Sequence, residues 1–70
     1  MDSDQLAQRV RAFRKLKGYT QLELAEELGV SVAVLGSLER GTRKNDTRLL
    51  KLIADKLNIS YEELVQTREG

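Results

Sequence analysis

Apolar residues recur at helical spacing along most of this chain, and nowhere do they alternate at the two-residue period of a strand. Leu6, Val10 and Phe13 predict a first helix from about Asp4 to Lys17, with Gly18 as its stop. Thr20-Gln21-Leu22-Glu23 fits the capping-box pattern and opens a second helix that ends before Gly29. Ser31 is a good N-cap for a third helix, which runs to Gly41. Asp46 caps a fourth, with Leu50, Ile53, Ala54 and Leu57 on one face and a stop near Asn58. Ser60-Tyr61-Glu62-Glu63 is a second capping box and opens a short fifth helix with Leu64 inward.

The expected architecture is therefore all-α: a compact five-helix bundle, one domain over residues 1–70 with its core at about 6–65. There is no proline, internal repeat or linker, and the longest connection is Gly41 to Asp46. The stripes predict a core of Val10, Phe13, Tyr19, Leu24, Leu28, Val30, Leu35, Leu38, Leu50, Ile53, Leu57, Ile59 and Leu64. Leu16, Leu22 and Leu52 fall off the stripes and are expected at the surface.

Residues Gln21 to Arg40 carry the tightest constraints. Two helices joined by a turn of about three or four residues and crossing steeply need a small side chain where their backbones approach, which Ala25 supplies. The turn needs a residue that tolerates a positive φ, and Gly29 does so without penalty. Leu24, Leu28, Val30, Leu35 and Leu38 bury one stripe of each helix and so fix the angle. Together they describe a helix-turn-helix, the motif whose second helix enters the DNA major groove.

Composition narrows the chemistry. Seventy residues allow a small core, and the absence of cysteine and histidine removes disulfides, imidazole bases and nearly all zinc sites. No glycine-rich phosphate loop, metal-ligand spacing or activated nucleophile is visible, so no enzyme activity, catalytic residue, cofactor, metal or small-molecule ligand is expected. Adjacent acids at Glu26-Glu27 and Glu62-Glu63 diverge by about 100° on a helix, which suits solvation better than acid–base pairing. The acidic start Met1-Asp2-Ser3-Asp4 precedes no long apolar run, so neither signal peptide nor membrane span is expected, and the natural location is cytoplasmic.

The net charge of +1 is unevenly spread. Arg9, Arg11, Arg14, Lys15 and Lys17 crowd the end of the first helix, and Arg40, Arg43, Lys44, Arg48 and Lys51 follow the motif. Two basic blocks flanking a helix-turn-helix are what a phosphate-facing surface needs, although solvated helix faces also collect such charge.

Several strings carry a family resemblance: Arg14-Lys15-Leu16-Lys17-Gly18-Tyr19-Thr20-Gln21, Leu24-Ala25-Glu26-Glu27-Leu28-Gly29-Val30-Ser31 and Leu38-Glu39-Arg40-Gly41. Leu57-Asn58-Ile59-Ser60-Tyr61-Glu62-Glu63-Leu64 adds a closing turn and last helix. From about Leu6 to Val65 the chain resembles the phage repressor and Cro family of DNA-binding domains, also called the xenobiotic-response-element family. The resemblance implies a lambda-repressor-like fold, double-stranded DNA as partner and a homodimer on the operator. It implies a phosphate contact for Gln21, and a pair between Arg14 and Glu39 that leaves other Arg14 donors facing a phosphate. It also implies backbone contacts from Arg40, Arg43 and Lys44. Asn45-Asp46 stands where the family often has a proline, so this loop departs from the pattern.

The third helix reads less clearly. Val34, Leu35 and Leu38 cluster inward, while Val32, Ala33, Gly36, Ser37 and Arg40 cluster outward, with Ser31 at the helix start. No bidentate hydrogen-bonding side chain projects from the centre of that outward face. Gly36 costs about 1 kcal/mol relative to alanine mid-helix, which close approach to DNA, close approach to a protein, or an unselected position would each account for. Two functions are compatible with this face. One is a DNA-binding domain of a transcriptional repressor, with Val32 and Ala33 on thymine methyls and Ser37 on a base edge. The other is a protein-interaction module with a smooth Val32/Ala33/Gly36 patch.

Overall fold

The computed structural model describes residues 3–42 and 46–66. Five helices follow in order: α1 Ser3–Leu16, α2 Gln21–Leu28, α3 Val32–Glu39, α4 Thr47–Leu57 and α5 Tyr61–Val65. No strand occurs among the described residues. The starts of α2 to α5 are each built by the N-cap residue expected there, although only Thr20, and not Ser60, closes the full capping box. The Thr20 hydroxyl accepts from the Glu23 N–H while the Glu23 carboxylate accepts from the Thr20 N–H, closing the capping box. Ser31 accepts from the Val34 N–H, Asp46 from those of Arg48 and Leu49, and Ser60 from that of Glu63. Caps of this kind contribute about 1 kcal/mol each, a large share for a domain this small.

Helix ends are equally local. Gly29 closes α2 at φ 74°, a left-handed conformation that a Cβ would penalise, and its N–H returns to the carbonyls of Ala25 and Glu26. Asn58 does the same for α4 at φ 62°, as asparagine tolerates better than most residues.

The helices enclose one apolar cluster. α1 packs on α3, α4 and α5, α2 packs on α3 and α4, and α4 packs on α5. Leu6, Val10, Leu24, Leu35, Leu50, Ile53, Leu57 and Leu64 are fully enclosed. Five buried apolar residues were absent from the predicted core: Leu6, Ala7, Ala25, Leu49 and Ala54. Leu49 lies beside Leu50 in sequence, so α4 buries a wider stripe than the four-residue face read from periodicity. Conversely, Phe13, Tyr19, Val30 and Ile59 lie at the core's edge, only partly covered. Leu16, Leu22 and Leu52 are exposed as expected, Leu16 by 75 %.

Candidate nucleic-acid interface

The junction of α1, α2 and α3 is polar, with Arg14 and Glu39 buried and Gln21 half-buried at its edge. Arg14, in the last turn of α1, donates from Nε to Glu39 Oε2 at 2.7 Å and from Nη2 to Glu39 Oε1 at 3.0 Å. The side chains are 8 % and 2 % exposed, so this bidentate fork lies inside the protein. Gln21, the first residue of α2, donates from Nε2 to the same Glu39 Oε1 at 3.1 Å. Burying two ions costs several kcal/mol, which attraction offsets only when the remaining donors and acceptors are satisfied. Here they are: Arg14 Nη1 donates to the Tyr19 carbonyl at 2.8 Å, and no buried side-chain nitrogen or oxygen among the described residues lacks a partner. The Tyr19 N–H in turn donates to the Arg14 carbonyl, so the α1–α2 turn and the end of α3 are fixed by one set of bonds.

The Arg14–Glu39 pair forms as expected. Arg14 is buried and gives two N–H groups to Glu39 and one to Tyr19, so what the geometry displays is an anchor for the end of α3. Arg14 positions Glu39, and Glu39 positions the half-buried Gln21 at the N-terminus of α2. Free N–H groups and the helix dipole make such an end favourable for an anion.

α3 carries the other sequence-derived residues. Ser31, Val32 and Ala33 are exposed at its start, and the Ser31 hydroxyl also caps the helix. Ser37 is half-buried, with its carbonyl accepting from the Thr42 N–H and hydroxyl. Gly36 departs from the helical-wheel reading: it is buried, not open. A Cβ at this position would lie 3.2 Å from Arg40 Nη1 and 3.8 Å from Gln21 Oε1. Arg40 therefore folds back over α3, with Nη2 3.5 Å from Ser37 Oγ, and of the patch expected to be smooth Gly36 lies under the guanidinium while Val32 and Ala33 stay exposed. The spacing of Gly36 and Arg40, one helical turn apart, was a signal available in the sequence.

The basic blocks divide on inspection. Arg9 turns away, donating from Nε to the Leu64 carbonyl at 2.9 Å and from Nη2 to the Glu63 carbonyl, with its guanidinium 5.5 Å from the centroid of the Phe13 ring. It ties α5 to α1, a role that residue type alone did not reveal. Arg11, Lys15 and Lys17 remain exposed, as do Arg40, Arg48 and Lys51, the last 5.6 Å from the Tyr61 ring centroid. Arg43 and Lys44 lie outside the described residues, and so does Asn45. A shallow groove bounded by Asp4, Arg11, Glu39 and Arg40 separates the start of α1 from the end of α3. No cluster that could hold a metal is found among the described residues, and no helix there is long and apolar enough to cross a membrane.

These elements define a helix-turn-helix domain, with α2 and α3 as the motif and α1, α4 and α5 as its frame. The chain belongs to the helix-turn-helix family HTH_3, whose pattern it matches over residues 10–64, and its relatives are regulators of the xenobiotic-response-element type. It is 50 % identical over 64 residues to the uncharacterized HTH-type transcriptional regulator YazB of Bacillus subtilis (strain 168), covering 91 % of this chain and 93 % of YazB. It is 34 % identical to the transcriptional regulator SinR of the same organism over 90 % of this chain, and spans 58 % of SinR. The crystal structure of SinR in complex with DNA matches at a TM-score of 0.80 with 35 % identity, over 87 % of this chain and 98 % of that one. The restriction-modification controller protein C.AhdI of Aeromonas hydrophila matches at 0.85 with 33 % identity, over 90 % and 96 %.

Proposed function

We propose that this chain is the sequence-specific double-stranded-DNA-binding domain of a cytoplasmic transcriptional repressor, with α3 in the major groove. The observation that carries this reading is the likeness of the whole fold to a SinR chain solved with DNA. The polar junction supplies its physical basis: Glu39 fixes Gln21 where α2 begins, so Gln21 and the α2 N-terminus meet one phosphate while α3 lies along the bases. Ser31, Arg43 and Lys44 hold further phosphates, and Val32 and Ala33 meet thymine methyls. A protein-binding face at Val32, Ala33 and Gly36 is less well supported, because Arg40 covers Gly36.

The domain acts as a homodimer on two half-sites about one DNA turn apart. Support comes from α4 and α5, which pack together, α4 carrying the exposed Leu52 and α5 the half-buried Tyr61 and Val65. With Arg43 and Lys44 from each protomer, about four phosphates are neutralised, which predicts about a hundredfold loss of affinity between about 50 and about 200 mM salt. Titration of labelled duplex at both salts, with sedimentation to count protomers, tests this. Failure of folded protein to bind duplex at low salt would overturn the reading.

A further inference from the structure

The sequence gives α3 no central side chain able to grip a base edge, yet the structure brings one there from the helix end. Side chains on a helix lean toward its N-terminus, and Arg40 follows that rule across a full turn, about 5.4 Å of helix rise. Its Nη1 reaches the space beside the Gly36 backbone, next to the Gln21 amide, and its Nη2 stands 3.5 Å from Ser37 Oγ. An arginine directed off the end of α3 would meet the phosphate rim. One lying back along the outer face is carried toward the N-terminal half of a recognition helix, the part that contacts base edges.

We propose that Arg40 reads a guanine through its O6 and N7, and that Gly36 is the seat that aims it. A planar guanidinium with parallel N–H groups matches those two acceptors, and this is the commonest specific contact between a side chain and a base. A Cβ at Gly36 would stand 3.2 Å from Nη1, tighter than ordinary contact, so the guanidinium would have to give by a few tenths of an ångström, and a larger side chain would take up its place. The long 3.5 Å contact to Ser37 orients the group without consuming it. The mid-helix glycine thereby has a cause: its missing side chain is the space in which the base-reading group lies. Arg40 supplies what Val32, Ala33 and Ser37 lack, and rests here on the reading that α3 occupies the major groove.

The experiment starts from duplexes selected by the parent chain from a random pool. Each guanine of the enriched half-site is then replaced by 7-deazaguanine, which removes N7, or by an adenine–thymine pair. Affinities are measured for the parent chain, Arg40→Lys, Arg40→Ala and Gly36→Leu at two salt concentrations, with thermal melts to show that each is folded. The parent should lose at least about tenfold on changes at one particular guanine. Arg40→Ala should bind the original and altered duplexes equally, while Arg40→Lys should keep the parent's salt slope with a reduced guanine preference. Gly36→Leu, while folded, should lose the same discrimination. An enriched site without a fixed guanine would overturn the proposal. So would an Arg40→Ala protein that weakens on every duplex alike and keeps the guanine preference, since that is the signature of a phosphate contact. Guanine preference surviving in Gly36→Leu would remove the seat from the account. A parent chain that binds no duplex at low salt would instead overturn the DNA-binding reading itself, and this inference with it.

Discussion

Where α1, α2 and α3 meet, a buried arginine and a half-buried glutamine both bond one buried glutamate; α4 and α5 join the same core through Leu50, Ile53, Leu57 and Leu64. The apolar half is held by contact that is strong but non-directional, and such cores accept altered side chains if volume is kept. The polar half is held by bonds with fixed angles and costs more to bury, so it is a poor way to gain stability and a good way to fix a geometry. The fixed geometry is the relation between the start of α2 and the end of α3, the two places that the proposed function turns toward DNA. An apolar frame tolerates small changes of angle, whereas the motif needs bonds that specify one arrangement.

Arg14→Ala should break this division most severely. It strands the Glu39 carboxylate, 2 % exposed, and costs about 3–5 kcal/mol, comparable to the whole stability of a domain of this size. Chemical denaturation should show little or no folded protein at ambient temperature. The double variant Arg14→Met with Glu39→Leu sharpens the point: it removes both ions, should recover much of that stability, and should still bind duplex weakly because Gln21 has lost its partner. Ile53→Ala probes the other half. Its cavity should cost about 2–5 kcal/mol in the same denaturation experiment, yet affinity per folded molecule should match the parent. Arg9→Ala comes next, at about 1–2 kcal/mol for the lost bonds to α5, again with affinity intact. Loss of duplex binding by folded Arg9→Ala would place Arg9 in the interface after all.

Much of the frame was legible in the sequence because its signals are local. A cap is one residue bonding another three positions on, and Thr20, Ser31, Asp46 and Ser60 could be read in that way. Leu16, Leu22 and Leu52 could be assigned outward from periodicity alone. The site was less legible because its chemistry depends on contacts between helices. Arg9, Arg11 and Arg14 look alike in a charge count, yet one holds α5, one is exposed and one is buried against Glu39. The family resemblance pointed to the Arg14–Glu39 pair but not to the Tyr19 carbonyl that accepts a further N–H from Arg14. Gly36 looked like open surface on a wheel projection, which counts angles and ignores a long side chain returning from one turn away.

The most direct test of the central claim is duplex affinity after Gln21→Ala, titrated beside the parent chain with melts of both. Gln21 is half-buried and its one bond to Glu39 is shared with a stronger arginine fork, so its loss should cost stability only about 1 kcal/mol. If the polar junction exists to aim the start of α2 at DNA, affinity should fall at least tenfold, about 1.4 kcal/mol, and by the same factor on every duplex sequence. A folded Gln21→Ala protein that binds as tightly as the parent would contradict the account.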